Sequence, residues 1–92
     1  MSRLNDAEIE RALAGLEGWL REGEALVRDF VLPDFVAALG FIVQIGALAE
    51  RASHHPTLTN TYNRVRVALS THDEGGITEH DVALASEINE RA

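Results

Sequence analysis

The most constraining feature of this sequence is the apolar segment Phe35–Ala49, in which Gln44 is the only strongly polar residue. Asp34 precedes the segment and Glu50 follows it. The run is shorter than the roughly 20 residues that a membrane-spanning helix needs, so a helix in a protein core fits better. A helix that is apolar on nearly all sides must be covered on several of them. We therefore expect one face to cover a sheet and another to meet a partner subunit.

Size and charge narrow the class of protein. The chain has 92 residues, no cysteine and a formal net charge of −7. We expect a single domain over residues 1–92 with a marginal core, which assembly into an oligomer would stabilise. The acidic surplus argues against binding to nucleic acid or to an anionic membrane surface. Because the first residues carry charges and no apolar run, we expect no signal peptide and a cytoplasmic location.

Three helices are predicted from capping patterns. Asn5 and Glu8 have the spacing of a capping box, which starts a helix near the N-terminus. Thr78 and Asp81 repeat that spacing ahead of a final helix. Asp34 is a favourable N-cap for the apolar helix between them.

The strands are predicted in two pairs. The first pair covers about 19–24 and 25–32, with a turn at Gly23. The second pair lies within about 57–71, with a break near Asn63. The element order is therefore α-β-β-α-β-β-α. This order predicts an α+β fold, a four-stranded antiparallel sheet with three helices packed on one face.

The four histidines, His54, His55, His72 and His80, are the most unusual feature of the sequence. A lone histidine near a helix end often interacts only with the helix dipole, and we interpret His80 as a surface residue. The combination of the other three is more informative. Alternation along its strand leaves His72 free of the core, and Glu50 lies one helical turn before His54, so both could face one site. A carboxylate there could orient a histidine.

The histidines belong to a longer pattern. Its residues are Glu50, His54-His55-Pro56, Tyr62-Asn63, Thr71-His72-Asp73, Gly76, Thr78 and Asp81. With these residues at these spacings, the sequence resembles the pterin-4a-carbinolamine dehydratases over nearly the whole chain, most strongly from about residue 35 to residue 88.

The resemblance implies a fold and an activity. The fold has three helices against a four-stranded antiparallel sheet, and the chains assemble into homodimers or homotetramers without a cofactor. The activity is that of a hydro-lyase, which dehydrates 4a-hydroxytetrahydropterin to quinonoid dihydropterin. This reaction recycles the pterin used in aromatic amino acid hydroxylation, so such a hydroxylase is an implied partner.

The resemblance also implies the site residues. By motif position, the catalytic residues are His54, His55 and His72, and the substrate-binding or supporting residues are Glu50, Ser70, Thr71 and Asp81. Imidazoles titrate near neutrality, so one can protonate the leaving hydroxyl while another accepts the N5 proton. We hypothesise that His54 and His72 are this pair and that His55 positions the substrate. Glu50 would accept hydrogen bonds from N3 and the 2-amino group of the pterin.

Two positions depart from the family pattern. Leu58 stands where many members carry an aromatic residue, and Ser53 stands where many carry Asp or Asn. These departures are expected to affect pterin affinity more than the acid–base groups.

Two other functions compete with this interpretation. A metal hydrolase would use His54, His55, His72 and Asp73 as ligands. Adjacent histidines usually point apart, however, and the chain lacks a His-x-x-x-His or Glu-x-x-His pattern, which disfavours a metal site. The stronger alternative is a non-catalytic dimerisation or assembly cofactor on the same fold. The three retained histidines favour catalysis, because a pure binding module would not need them.

Overall fold

The computed structural model describes residues 2–92 and shows one antiparallel sheet covered by helices. The strands are β1 (Leu20–Glu22), β2 (Ala25–Val31), β3 (Thr57–Thr61) and β4 (Arg64–Leu69). The helices are α1 (Asp6–Ala14), α2 (Phe35–Ala52) and α3 (Glu79–Arg91), and a 3-10 turn spans His72–Glu74. The sheet order is β1-β2-β4-β3 with every pair antiparallel. The predicted α+β fold is confirmed.

The core lies between the helices and the face of the sheet that β2 and β4 present to them. Alternation in β4 buries Val65, Val67 and Leu69 completely on that face. Phe30 of β2 packs edge-to-face on Phe41 of α2, with ring centroids 4.8 Å apart. Burying aromatic rings in such pairs stabilises the contact between sheet and helix beyond the area that they remove from water.

The helix starts follow the predicted caps. The Asn5 side chain accepts from the backbone N–H of Glu8, and the Glu8 side chain accepts from that of Asn5. Thr78 and Asp81 form the second capping box, and Asp34 caps α2 by accepting from the N–H of Ala37. All three caps satisfy backbone donors that have no partner inside the helix.

Helix α2 is longer than its apolar run. It has 18 residues and a mean hydropathy of 1.5, so by length and composition it could cross a membrane. Core helices of globular domains share these properties, and one face of α2 packs into the core. The expectation that a second face meets a partner subunit stays a prediction. The exposed face carries Phe35, Val36, Leu39 and Val43.

Arg28 links the segment before β1 to α3 and to the core. It lies on the inward side of β2, where its guanidinium sits 4.3 Å above the Phe30 ring. It donates to the carbonyl oxygen of Glu17 at 2.7 Å and to Asn89 Oδ1 at 2.8 Å. Gly18 lies against it with φ +82°, and a Cβ at Gly18 would stand 2.5 Å from Arg28 Nε.

We expect Gly18→Ala to lower the free energy of unfolding by about 2 kcal/mol. The left-handed conformation costs a residue with a Cβ about 1–2 kcal/mol, and the methyl group must also displace Arg28. Gly23→Ala is the matched control, because Gly23 has φ +60° and no atom of residues 2–92 lies within 4 Å of the added Cβ. Gly23→Ala should lower the free energy of unfolding by about 1 kcal/mol. Urea denaturation measures both, and equal losses would contradict the role given to Arg28.

Candidate active site

The end of α2 brings two histidines out of the helix. Ser53 follows the helix in the left-handed conformation, with φ 52°, and this reverses the chain direction. The backbone N–H of His54 still donates to the carbonyl oxygen of Ala49 at 3.0 Å, which fixes the turn. His55 precedes Pro56, whose ring disfavours a helical conformation for the residue before it. The two side chains are therefore presented by a short, well-defined connection to β3.

A second turn presents His72. Strand β4 ends at Leu69, and Thr71 forms an isolated bridge with Gly76, which closes a small loop. His72 begins the 3-10 turn in this loop and does not continue the strand. The detailed expectation of an extended residue there was wrong, because the Thr71–Gly76 pairing turns the chain. His72 is nevertheless exposed and free of the core, as alternation indicated.

The two turns meet at one depression of about 260 Å³. This is slightly below the usual range of small-molecule sites, which is about 300–1,000 Å³. It is lined by Ser53, His54, His55, Ser70, Thr71, His72 and Asp73. The structure thus brings together the three histidines that the motif singled out.

A buried carboxylate anchors one of these histidines. Asp81 is fully buried, and its Oδ1 lies 2.5 Å from His54 Nε2. Its Oδ2 accepts from Thr71 Oγ1 at 2.8 Å and from the backbone N–H of Thr78 at 2.9 Å. The hydroxyl groups of Thr71 and Thr78 are 2.9 Å apart. Asp81 therefore joins α3, the end of β4 and the turn after α2.

The network indicates where the proton of His54 lies. The Thr71 hydroxyl and the backbone N–H of Thr78 both donate to Oδ2 of Asp81, which matches an ionised carboxylate, and an ionised carboxylate can only accept at Oδ1 as well. His54 must then donate from Nε2, so Nδ1 of the neutral ring carries the lone pair. The His54 side chain is only 12% exposed, which limits its motion. The arrangement is suited to a histidine that accepts a proton at Nδ1.

Glu50 contacts His55, and not His54 as its spacing suggested. Glu50 Oε1 lies 2.5 Å from His55 Nε2, and both side chains are exposed at the rim of the depression. The helical spacing fails because α2 ends at Ala52, two residues before His54. The carboxylate that was expected to orient a histidine therefore contacts His55, and Asp81 is the carboxylate bound to His54.

Of the remaining residues of the motif and its departures, some line the depression and others lie elsewhere in the fold. Ser70 lines the depression while its hydroxyl donates to the carbonyl oxygen of Glu24 at 2.8 Å. Tyr62 and Asn63 form the turn between β3 and β4, away from the depression. Leu58 packs against the core and does not line the depression. Ser53 does line it, and its left-handed conformation is one that Asn and Asp adopt more readily.

His80 contacts His54, which could not be expected from the sequence. It is exposed, as predicted, but its ring centroid lies 5.8 Å from that of His54 at an interplanar angle of 77°. Its only sequence signal is its place directly before Asp81. Within residues 2–92, no group of three or more His, Asp or Glu side chains is arranged to hold a metal ion.

Comparison with known sequences identifies the family. The family model described as Pterin 4 alpha carbinolamine dehydratase matches residues 2–91. A protein of Thermomicrobium roseum named as a pterin-4-alpha-carbinolamine dehydratase is 49% identical over 92 residues, covering 100% of this chain and 99% of that protein. A protein of Brucella ovis with the same name is 44% identical over 90 residues, covering 96% and 93% of the two chains.

Solved structures agree with this assignment. A transcriptional coactivator/pterin dehydratase from Brucella melitensis superposes with a TM-score of 0.94 at 43% identity, over 97% of both chains. A pterin dehydratase-like protein described as a RuBisCO assembly factor in the alpha-carboxysome gives a TM-score of 0.68 at 21% identity, covering 80% and 88% of the chains, and shows the fold alone. Because the family model spans nearly the whole chain and full-length relatives are almost half identical, this protein belongs to the pterin-4-alpha-carbinolamine dehydratase family of hydro-lyases.

Proposed function

We propose that this protein dehydrates 4a-hydroxytetrahydropterin to quinonoid dihydropterin and water by histidine acid–base chemistry. The observation that carries the proposal is the convergence of His54, His55 and His72 on one depression, with His54 anchored by the buried Asp81. The reaction breaks the C4a–O bond and removes the N5 proton. It therefore needs one group that donates a proton to the hydroxyl and another that accepts a proton from N5.

The geometry favours different roles for two of the histidines. His54, with Nε2 committed to Asp81, has Nδ1 free to accept the N5 proton. His72 is exposed on the opposite turn, where as imidazolium it would donate a proton to the leaving hydroxyl. Water then leaves, the N5 electron pair forms the new double bond to C4a, and solvent returns a proton from His54 to His72. Each positioned group is expected to contribute roughly 10²–10⁴-fold to the rate.

His55 and Glu50 are proposed to bind the substrate. Their hydrogen bond lies at the exposed rim, where an ion pair contributes little to stability. The carboxylate of Glu50 is a suitable acceptor for the N3–H and 2-amino donors of a pterin ring. His55 would hold Glu50 in place for this contact. We assign Ser70 and Thr71 to the wall beneath the ring, since both residues line the depression.

The substrate also suggests a biological setting. A 4a-hydroxytetrahydropterin arises when tetrahydropterin serves aromatic amino acid hydroxylation, so we propose that the protein recycles this pterin in the cytoplasm beside such a hydroxylase.

A direct assay tests the activity. The decay of enzymatically generated 4a-hydroxytetrahydropterin is followed by ultraviolet absorbance with and without the protein. Acceleration in proportion to protein concentration is expected. Absence of acceleration by the folded protein would overturn the proposed function.

A non-catalytic binding role is the second candidate. The Brucella melitensis relative is described as a transcriptional coactivator as well as a pterin dehydratase, so the two roles are compatible with one fold. A purely binding role would place no demand on the histidines, and the assay separates the two candidates.

We also propose that the protein is a homodimer or homotetramer assembled through α2. Val36 and Val43, two turns apart on a face of α2 that no other element within residues 2–92 covers, are 76% and 71% exposed. Gly40 lies between them, and no described atom of the chain stands within 4 Å of a Cβ added there, so a second helix could approach closely. Apolar stripes of this kind on small domains typically form subunit contacts.

A charged substitution on the exposed face of α2 that carries Val36, Gly40 and Val43 tests the assembly. Val43→Glu is expected to reduce the molar mass measured by light scattering, because a carboxylate would be buried without a partner. Ser86→Glu, on the exposed face of α3, is the control and should leave the mass unchanged. A monomeric parent protein, or an oligomer that tolerates Val43→Glu, would rule out this interface.

A further inference from the structure

His80 is the histidine that the dehydratase chemistry leaves without a role. It lies in the first turn of α3, one residue before Asp81, and packs edge-to-face on His54. Asp81 binds Nε2 of the His54 ring, and His80 contacts the ring itself. The first turn of α3 therefore holds the same imidazole through two consecutive side chains.

The two rings, which are in edge-to-face contact, border different depressions. His54 lines the active-site depression, while His80 lines a second groove of about 340 Å³ between the end of α2 and α3. The second groove is mostly apolar, and Ala52 and Leu84 lie on its walls. The two rings are thus in contact while each borders a different space, with His80 on the side of the second groove.

The side chain of His80 is not needed for the helix cap. Only its backbone N–H takes part there, donating to Thr78 Oγ1 at 3.2 Å. The imidazole itself is exposed to solvent, so its removal should leave the fold intact. Its removal would, however, open the back of His54 toward the second groove.

We propose that His80 is a positioning residue, whose ring fixes the orientation of His54 on Asp81 and shields their hydrogen bond from solvent in the second groove. A hydrogen bond to a carboxylate is stronger when water is excluded, and a ring packed on two sides retains one orientation. The inference rests on the proposed dehydratase function only for its kinetic test. The orientation of His54 can be measured without any substrate.

The kinetic test compares His80→Ala with His80→Phe. Loss of the ring in His80→Ala should lower kcat about three- to tenfold with KM within twofold, since an aromatic contact of this size is lost. His80→Phe restores a ring of similar shape and should recover at least half of the parent kcat. Glu79→Gln, a change in the neighbouring residue of the same groove, should leave both constants unchanged.

The structural test follows the nitrogen resonances of His54 in protein labelled with ¹⁵N. In the parent protein and in His80→Phe, we expect one tautomer, with Nε2 protonated and Nδ1 unprotonated. In His80→Ala, the shifts should move toward an average of tautomers and the Nε2 proton should exchange faster with water. An unchanged His54 signal in His80→Ala, or equal losses in the Ala and Phe variants, would overturn the proposal. If the dehydratase assay shows no activity, the resonances of His54 still test the positioning role of His80.

Discussion

His54→Gln and His72→Gln are each expected to lower kcat for pterin carbinolamine dehydration by about 10²–10⁴-fold. Glutamine is close in size to histidine, and at position 54 its amide can still donate to Asp81, so the buried carboxylate keeps a partner. It cannot, however, accept or release a proton near neutral pH. The measurement is the protein-dependent rate of carbinolamine decay, at saturating substrate, for parent and variants.

His55→Gln is the matched control within the same depression. If His55 holds Glu50 and does not transfer a proton, its replacement should raise KM several-fold and change kcat little. Thermal unfolding of all three variants separates loss of chemistry from loss of structure. If His54→Gln and His72→Gln retain kcat within threefold, the acid–base assignment is wrong.

Asp81→Asn is expected to reduce kcat by roughly 10²–10⁴-fold while the fold persists. The single amide oxygen must accept from Thr71 and from the backbone N–H of Thr78, because both are donors. The amide NH₂ group is then turned toward His54 Nε2, which must become an acceptor. The ring proton moves to Nδ1, and the lone pair that faces the substrate is lost.

Stability measurements distinguish this effect from a structural one. Asp81→Ala removes the acceptor altogether and leaves buried donors unpaired, so a loss of about 3–5 kcal/mol is expected in urea denaturation. Asp81→Asn should lower the free energy of unfolding by less than half as much, because its amide oxygen still accepts hydrogen bonds from Thr71 and Thr78. Asp34→Asn serves as control, since Asn caps a helix as well as Asp and Asp34 caps α2 away from the depression. Full activity in Asp81→Asn would exclude a role for the His54 tautomer.

The sequence by itself determined the elements and the family. Capping boxes such as Asn5 with Glu8 are contacts over three residues, and strand alternation repeats every two, so both can be seen in the sequence. The hairpin turns and the N-cap at Asp34 are local in the same way. The histidines and their neighbours formed a pattern specific enough to indicate the chemistry before any contact was known.

Only the tertiary structure decided which side chains meet. His54 binds Asp81, which is 27 residues away, and His80 packs on it from the same turn of α3. Glu50 turned to His55 because a left-handed residue at Ser53 ends α2 and breaks the helical spacing. Periodicity reports which face of an element is apolar, but not where two elements cross. The partners of His54 were therefore decided by the packing of α3 against α2 and β2, which no local pattern encodes.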